Sequence, residues 1–128
     1  MLDVLMGPRD SSTSDHPWHR AERGELPTAA FPVEVLPFAE AAGLTLRGDE
    51  YDRLLAGVYD VHHDVIERIH ELRHEGFRTA MLTNCFREFR PQLERDIDMT
   101  AFDVVIDSSE AGCRKPCLLY TSPSPRDA

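Results

Sequence analysis

Apolar positions recur along this chain first at helical spacing and then at strand spacing. Between residues 28 and 42, Phe31, Val35, Phe38 and Ala42 fall every three or four residues, with Thr28 placed to cap the run and Gly43 to stop it. Pro32 fits the first turn of such a helix, whereas Pro37 is expected to bend or end it. Upstream, Pro17 suits the first position of a short helix reaching Arg23, with Asp15 or His16 near its cap and Gly24 as its stop. Asp49 opens a further amphipathic run carrying Tyr51, Leu54, Leu55 and Val58. The clearest run spans 62–75, where Val65, Ile66, Ile69 and Leu72 point one way until Gly76. The period then changes. Residues 78–83, Arg-Thr-Ala-Met-Leu-Thr, are short and mostly apolar, as suits a buried parallel strand. A helix over 88–96 and a second strand over 102–106 follow. Helix, strand, helix, strand is half of a doubly wound sheet, so the fold class is α/β with helices filling the first half of the chain. Residues 1–16 read as irregular, broken by Gly7-Pro8 and the polar run from Ser11 to Asp15.

Composition narrows the function. The 128 residues carry 23 Asp and Glu against 14 Lys and Arg, a formal charge of −9. Nucleic acid and anionic membranes reward clustered bases, so neither is expected as a partner. No apolar run approaches the roughly 18 residues of a membrane span, and the amino end lacks a basic stretch followed by an apolar one. Cys85, Cys113 and Cys117 are odd in number and form no CxxC pair, which points to a reduced, cytoplasmic setting. Residues 117–128, CLLYTSPSPRDA, resemble the in-frame translation of a sequencing-library adapter and read as a non-native tail.

In a parallel α/β sheet, ligands bind beyond the carboxyl ends of the strands. Thr83-Asn84 ends the first expected strand, offering a hydroxyl, an amide and backbone N–H groups there. Gly112-Cys113-Arg114-Lys115-Pro116 follows the second strand closely enough for Lys115 to swing back to the same crevice. A hydroxyl donor and an ammonium together suit an anionic phosphoryl or carboxylate group.

FRTAMLTN at 77–84, FDVVIDSSEAGCRKP at 102–116 and HPWHRAERGEL at 16–26 together resemble the haloacid dehalogenase-like (HAD) hydrolases that carry a helical cap near the amino terminus. The resemblance implies a partial Rossmann-type parallel sheet over 61–116 and a helical cap region over 17–60. It implies that Thr83 hydrogen-bonds a transferring phosphoryl group, that Asn84 shapes its pocket, and that Lys115 neutralises charge on nucleophile and phosphoryl oxygens. Trp18 and Glu22, four residues apart in the helical cap, would line the substrate pocket; Trp18 could equally anchor helix to helix. The implied activity is Mg²⁺-dependent hydrolysis of a small phosphorylated molecule through an aspartyl intermediate. Dehalogenation is the alternative within the family, and a non-enzymatic interaction module the alternative outside it.

The family's nucleophilic aspartate ends the first core strand, upstream of the helical cap. Asp3 does not match it: two residues precede it, and Leu5 stands where a second acidic residue or glycine belongs. The second acidic motif should follow Lys115-Pro116, where the adapter-like text begins. The chain therefore reads as truncated at both ends, without metal ligands of its own and inactive by itself. In the family's strand order the absent strand would lie beside the Thr83 strand, leaving an association-prone edge. His63, Glu67, His70 and His74 share a helix face, and His70-Glu71-Leu72-Arg73-His74 formally matches a zinc pattern. No third ligand is evident, so a solvated face is the expectation. Cys85 lacks an assignable histidine partner and reads as a packed thiol.

Overall fold

The computed structural model describes residues 2–8, 14–45, 47, 50, 53 and 60–116. The expected helix after Asp49 and the tail at 117–128 fall on residues outside these. Leu2–Met6 forms a short helix, α1, where the sequence pattern predicts irregular chain. Such a short helix has little intrinsic stability, and burial of Leu5 in the core holds it in place. Helix α2, Pro17–Glu22, begins as expected with proline at its first position, and the His16 ring supplies the cap by accepting from the Trp18 amide. Thr28 opens a single 3-10 turn, Thr28–Ala30, instead of capping α3 directly; α3 then runs Phe31–Ala41. It continues through Pro37 because Pro37 and Val33, the residue whose carbonyl it cannot serve, both lie on the exposed side, where water can take that bond.

Helix α4, His63–His74, is followed by strand β1, Ala80–Thr83, then a 3-10 turn, Arg87–Phe89, and helix α5, Arg90–Asp96. A further 3-10 turn, Met99–Ala101, leads into strand β2, Val104–Asp107, and helix α6, Ser108–Ala111. The strands pair in parallel from Ala80 opposite Val104 to Thr83 opposite Asp107, with α5 as the crossover. Among the described residues the sheet has two strands. The sequence pattern predicts a buried strand at 78–83, but Ala80 is exposed, and Met81, Leu82 and Thr83 are half-buried. A doubly wound sheet is buried by helical layers on both faces, and the two strands among the described residues offer little surface for such layers. For the same reason Val104 is 47% exposed, and Val65 on α4 is 50% exposed while Ile66, Ile69 and Leu72 are half-buried.

The core lies beside the sheet. Leu5 of α1, Trp18 and Ala21 of α2, Leu26, Phe31 and Val35 of α3, and Phe86 from the loop after β1 form one buried cluster. The Ser108 hydroxyl donates to the Glu22 carbonyl and accepts from the Cys85 amide at 3.0 Å, stitching the ends of both strands to α2. Gly24, at φ 72°, turns the chain immediately after α2 against α6. A β-carbon there would overlap the Ser109 carbonyl oxygen and meet Arg87 Nη2 at 2.9 Å. Gly43, at φ 71°, faces nothing within 4 Å. Gly24→Ala is therefore expected to destabilise the fold more than Gly43→Ala, which carries only the about 1–3 kcal/mol of left-handed strain. Parallel urea unfolding curves check this; equal losses would show that the close approach to Ser109 is unimportant. Among the described residues no helix is long and apolar enough to cross a membrane.

Candidate functional site

The parallel register sets Thr83 and Asp107 side by side at the carboxyl edge of the sheet. Beyond Thr83 the chain continues through Asn84 into the loop before α5. Beyond Asp107, α6 ends at Gly112, whose φ of 68° turns the chain back toward β1. The returning loop is fastened reciprocally: Asn84 Nδ2 donates to the Lys115 carbonyl at 3.1 Å, and the Lys115 amide donates to Asn84 Oδ1 at 2.7 Å. Lys115 Nζ donates to the Leu82 carbonyl at 2.6 Å. An ammonium carries three donors, so two remain for a ligand.

These groups border a cleft of about 550 Å³ whose walls include Asp3 of α1, Trp18 and Glu22 of α2, and Asn84, Arg114 and Lys115. Four of the five residues singled out from the sequence, Trp18, Glu22, Asn84 and Lys115, thus meet at one place. Thr83 stands beside it without lining it; its hydroxyl reaches the Asn84 carbonyl at 3.5 Å. Of the two roles open from the sequence, Trp18 fills that of anchoring helix to helix. It lines the cleft, and its ring packs edge-on against Phe31 and Phe86, with centroids 5.8 and 4.7 Å away. Its Nε1 donates to Glu22 Oε1 at 2.8 Å, while Arg114 Nε donates to Glu22 Oε2. Both charged side chains of this pair are more than nine-tenths buried.

The sequence reading missed Arg114, although it lies inside the motif that carries Lys115. Its partner is 92 residues away, and nothing local marks that pairing. Asp107 was also missed. Its side chain is fully buried, accepting from the Ser109 amide and hydroxyl at 2.8 and 2.9 Å and pairing with Arg90 at 3.3 Å. These bonds cap α6 and hold the strand end, a positioning role.

Mg²⁺ requires several hard oxygens near ideal octahedral geometry. Of the cleft's carboxylates, Glu22 has both oxygens engaged by Trp18 and Arg114, which leaves Asp3 facing a wall that includes Lys115. The described residues of the cleft do not fit the ion. On α4, His70 pairs with Asp98 at 3.1 Å and Glu71 with Arg68 at 2.7 Å. Among the described residues no three His, Cys, Asp or Glu side chains gather as metal ligands. Cys85 is half-buried, and burial, reinforced by the Asp107 charge, pushes its thiol up to about 11, so it stays protonated at neutral pH. The chain matches no protein-family model, and no curated protein shows significant sequence similarity to it.

Proposed function

We propose that this chain carries the phosphate-binding side of a haloacid dehalogenase-like phosphoester hydrolase site, and that it does not turn substrate over by itself. One observation supports the reading above the rest: the reciprocal Asn84–Lys115 bonds hold a lysine ammonium at the carboxyl end of a parallel strand, on a cleft of small-molecule size. Lys115 would neutralise the oxygens of a phosphorylated small molecule, Asn84 would keep the lysine loop in place, and Trp18 would wall the organic portion. Thr83, ending the same strand, directly precedes Asn84 and would offer its hydroxyl from beside the cleft. Covalent transfer also needs a carboxylate nucleophile, with Mg²⁺ in this family. Asp3 sits on a helix instead of a strand end, and Glu22 is consumed by its ion pair.

Titration calorimetry with inorganic phosphate and phenyl phosphate tests this. Lys115→Ala is expected to weaken binding by about ten- to a hundredfold, matching the roughly 1.5–3 kcal/mol of a charge-assisted hydrogen bond. Asn84→Ala should lose affinity in the same direction by releasing the loop. The unaltered chain with Mg²⁺ should release no phosphate from phenyl phosphate. Undiminished phosphate binding in Lys115→Ala would remove the basis for the proposal.

A further inference from the structure

Two imidazoles at the junction of α1 and α2 are unused by the cleft chemistry. His16 has both ring nitrogens committed: Nδ1 accepts from the Trp18 amide at 3.2 Å, and Nε2 contacts the Val4 carbonyl at 3.0 Å. An amide N–H can be accepted only by an unprotonated Nδ1, and a carbonyl can be served only by Nε2–H. The two contacts therefore require one neutral tautomer. A proton on Nδ1 would set donor against donor and remove the cap of α2. His19, one turn on, is 0% exposed; neither of its nitrogens makes a well-formed hydrogen bond, and the Met6 carbonyl acts on the ring only weakly against its burial. The two rings stand 5.6 Å apart. Gly7 closes the chain over both: a β-carbon there would lie 2.7 Å from His16 Cγ and 2.9 Å from His19 Nε2.

The surroundings are hostile to an imidazolium. Arg114 from the loop after α6 and Arg23 at the end of α2 carry positive charge beside His19, and a proton on His16 would add to them; each disfavours protonation of His19. The carboxylates of the neighbouring elements are committed elsewhere. Glu22 binds Trp18 and Arg114, Glu34 of α3 binds Arg20, and Asp107 binds Ser109 and Arg90. Asp3 of α1 and Asp15 before α2 are exposed. Burial first, then Arg114, holds the His19 pKa down to about 4, with the Met6 carbonyl opposing; burial also lowers that of His16 against the Val4 contact.

We propose that His16 and His19 form a proton-operated latch: as neutral rings they hold α1 and α2 closed along the cleft, and a proton on either ring releases them and opens its Trp18 wall. Asp3, Met6 and Gly7 from the α1 side and Trp18 and Glu22 from α2 border that cleft, so release of the junction alters it directly. The latch is independent of what the cleft binds. Its pH window follows from the sign of the shift. Above about 6.5, the ordinary histidine value, both folded and open chains keep neutral rings and closure is at full strength. As pH falls from there toward 4, the open state binds protons that the closed state refuses, and closure weakens progressively.

Trp18 is the single tryptophan of the chain, so its emission reports the wall without a label. The emission of the unaltered chain is expected to shift to the red between pH 6.5 and 4. His19→Leu, which fills the site without a titrating group, and His16→Asn, which preserves a capping oxygen, should each move that midpoint down by about one pH unit. Histidine ring resonances of the unaltered chain, followed by NMR over the same range, give a readout that needs no variant to fold. They should show two rings that resist protonation until Trp18 moves. The latch is overturned if both rings titrate near 6.5 while Trp18 emission stays constant. It is equally overturned if both folded variants open at the same pH as the unaltered chain, which would assign the opening to carboxylates.

Discussion

Arg114→Met is expected to lower stability by about 3–5 kcal/mol, the usual loss when one member of a buried ion pair is removed and the other stays behind. Methionine roughly preserves the length of the side chain, so the effect isolates the charge. Glu22 would remain enclosed beside Trp18, with the indole N–H as its remaining partner from the Trp18–Arg114 pair. A double substitution, Glu22→Gln with Arg114→Met, should recover much of the loss, because glutamine still offers an oxygen to Trp18 Nε1 and leaves no buried charge. Urea unfolding of the unaltered chain, the two single variants Arg114→Met and Glu22→Gln, and the double variant, followed by Trp18 emission, measures the coupling. A double variant no better than Arg114→Met alone would show that the guanidinium contributes packing and not charge compensation. The pair matters for the cleft because Arg114 immediately precedes Lys115. Losing it would free the loop that Asn84 holds from the other side.

That cycle also marks the boundary of what the chain's text discloses. Local signals served well. Pro17 and Gly24 bracket α2, the 3.6-residue spacing of Ile66, Ile69 and Leu72 gives α4, and each strand starts within two residues of its expected start. The nearness of Asn84 to Lys115 was also legible, because both follow the carboxyl ends of strands expected to lie parallel. Long-range partners were not. Ser108 reaches back 86 residues to the Glu22 carbonyl and Arg114 reaches 92 to its carboxylate; no periodicity encodes such pairs. Helix α1 was invisible because its existence depends on the burial of Leu5 and on Gly7 passing over two imidazoles. The same holds for His19. Within the HPWHRAE stretch it is one polar residue among several, and only the folded chain shows that it is sealed from water while its neighbour Arg20 stays at the surface with Glu34.

Phe31→Ala is expected to cost about 3–5 kcal/mol, whereas Phe38→Ala on the same helix should cost about 1 kcal/mol or less. The contrast rests on exposure: Phe31 is 1% exposed and Phe38 43%. Both rings lie in α3, Phe31 at its first position and Phe38 inside it, and the Phe-to-Ala propensity difference of about 0.5 kcal/mol is small beside the contrast. Phe31 sits where three parts of the chain meet, its ring 5.8 Å from that of Trp18 and 6.3 Å from that of Phe86. Removing it would leave a void between α2, α3 and the loop that leads from β1 to α5. Phe38 meets the His16 ring at 4.7 Å from one side, and its loss would be replaced by water. The void has a consequence beyond stability. Trp18 would keep its bond to Glu22 but lose one of its two flanking rings, so its emission should broaden and shift in the folded Phe31→Ala protein before any denaturant is added. Calorimetric unfolding and native-state emission of the two variants provide the check. Similar losses for both, with Trp18 emission unchanged, would place the structural core away from the α2–α3 junction and leave the cleft wall without the support described here.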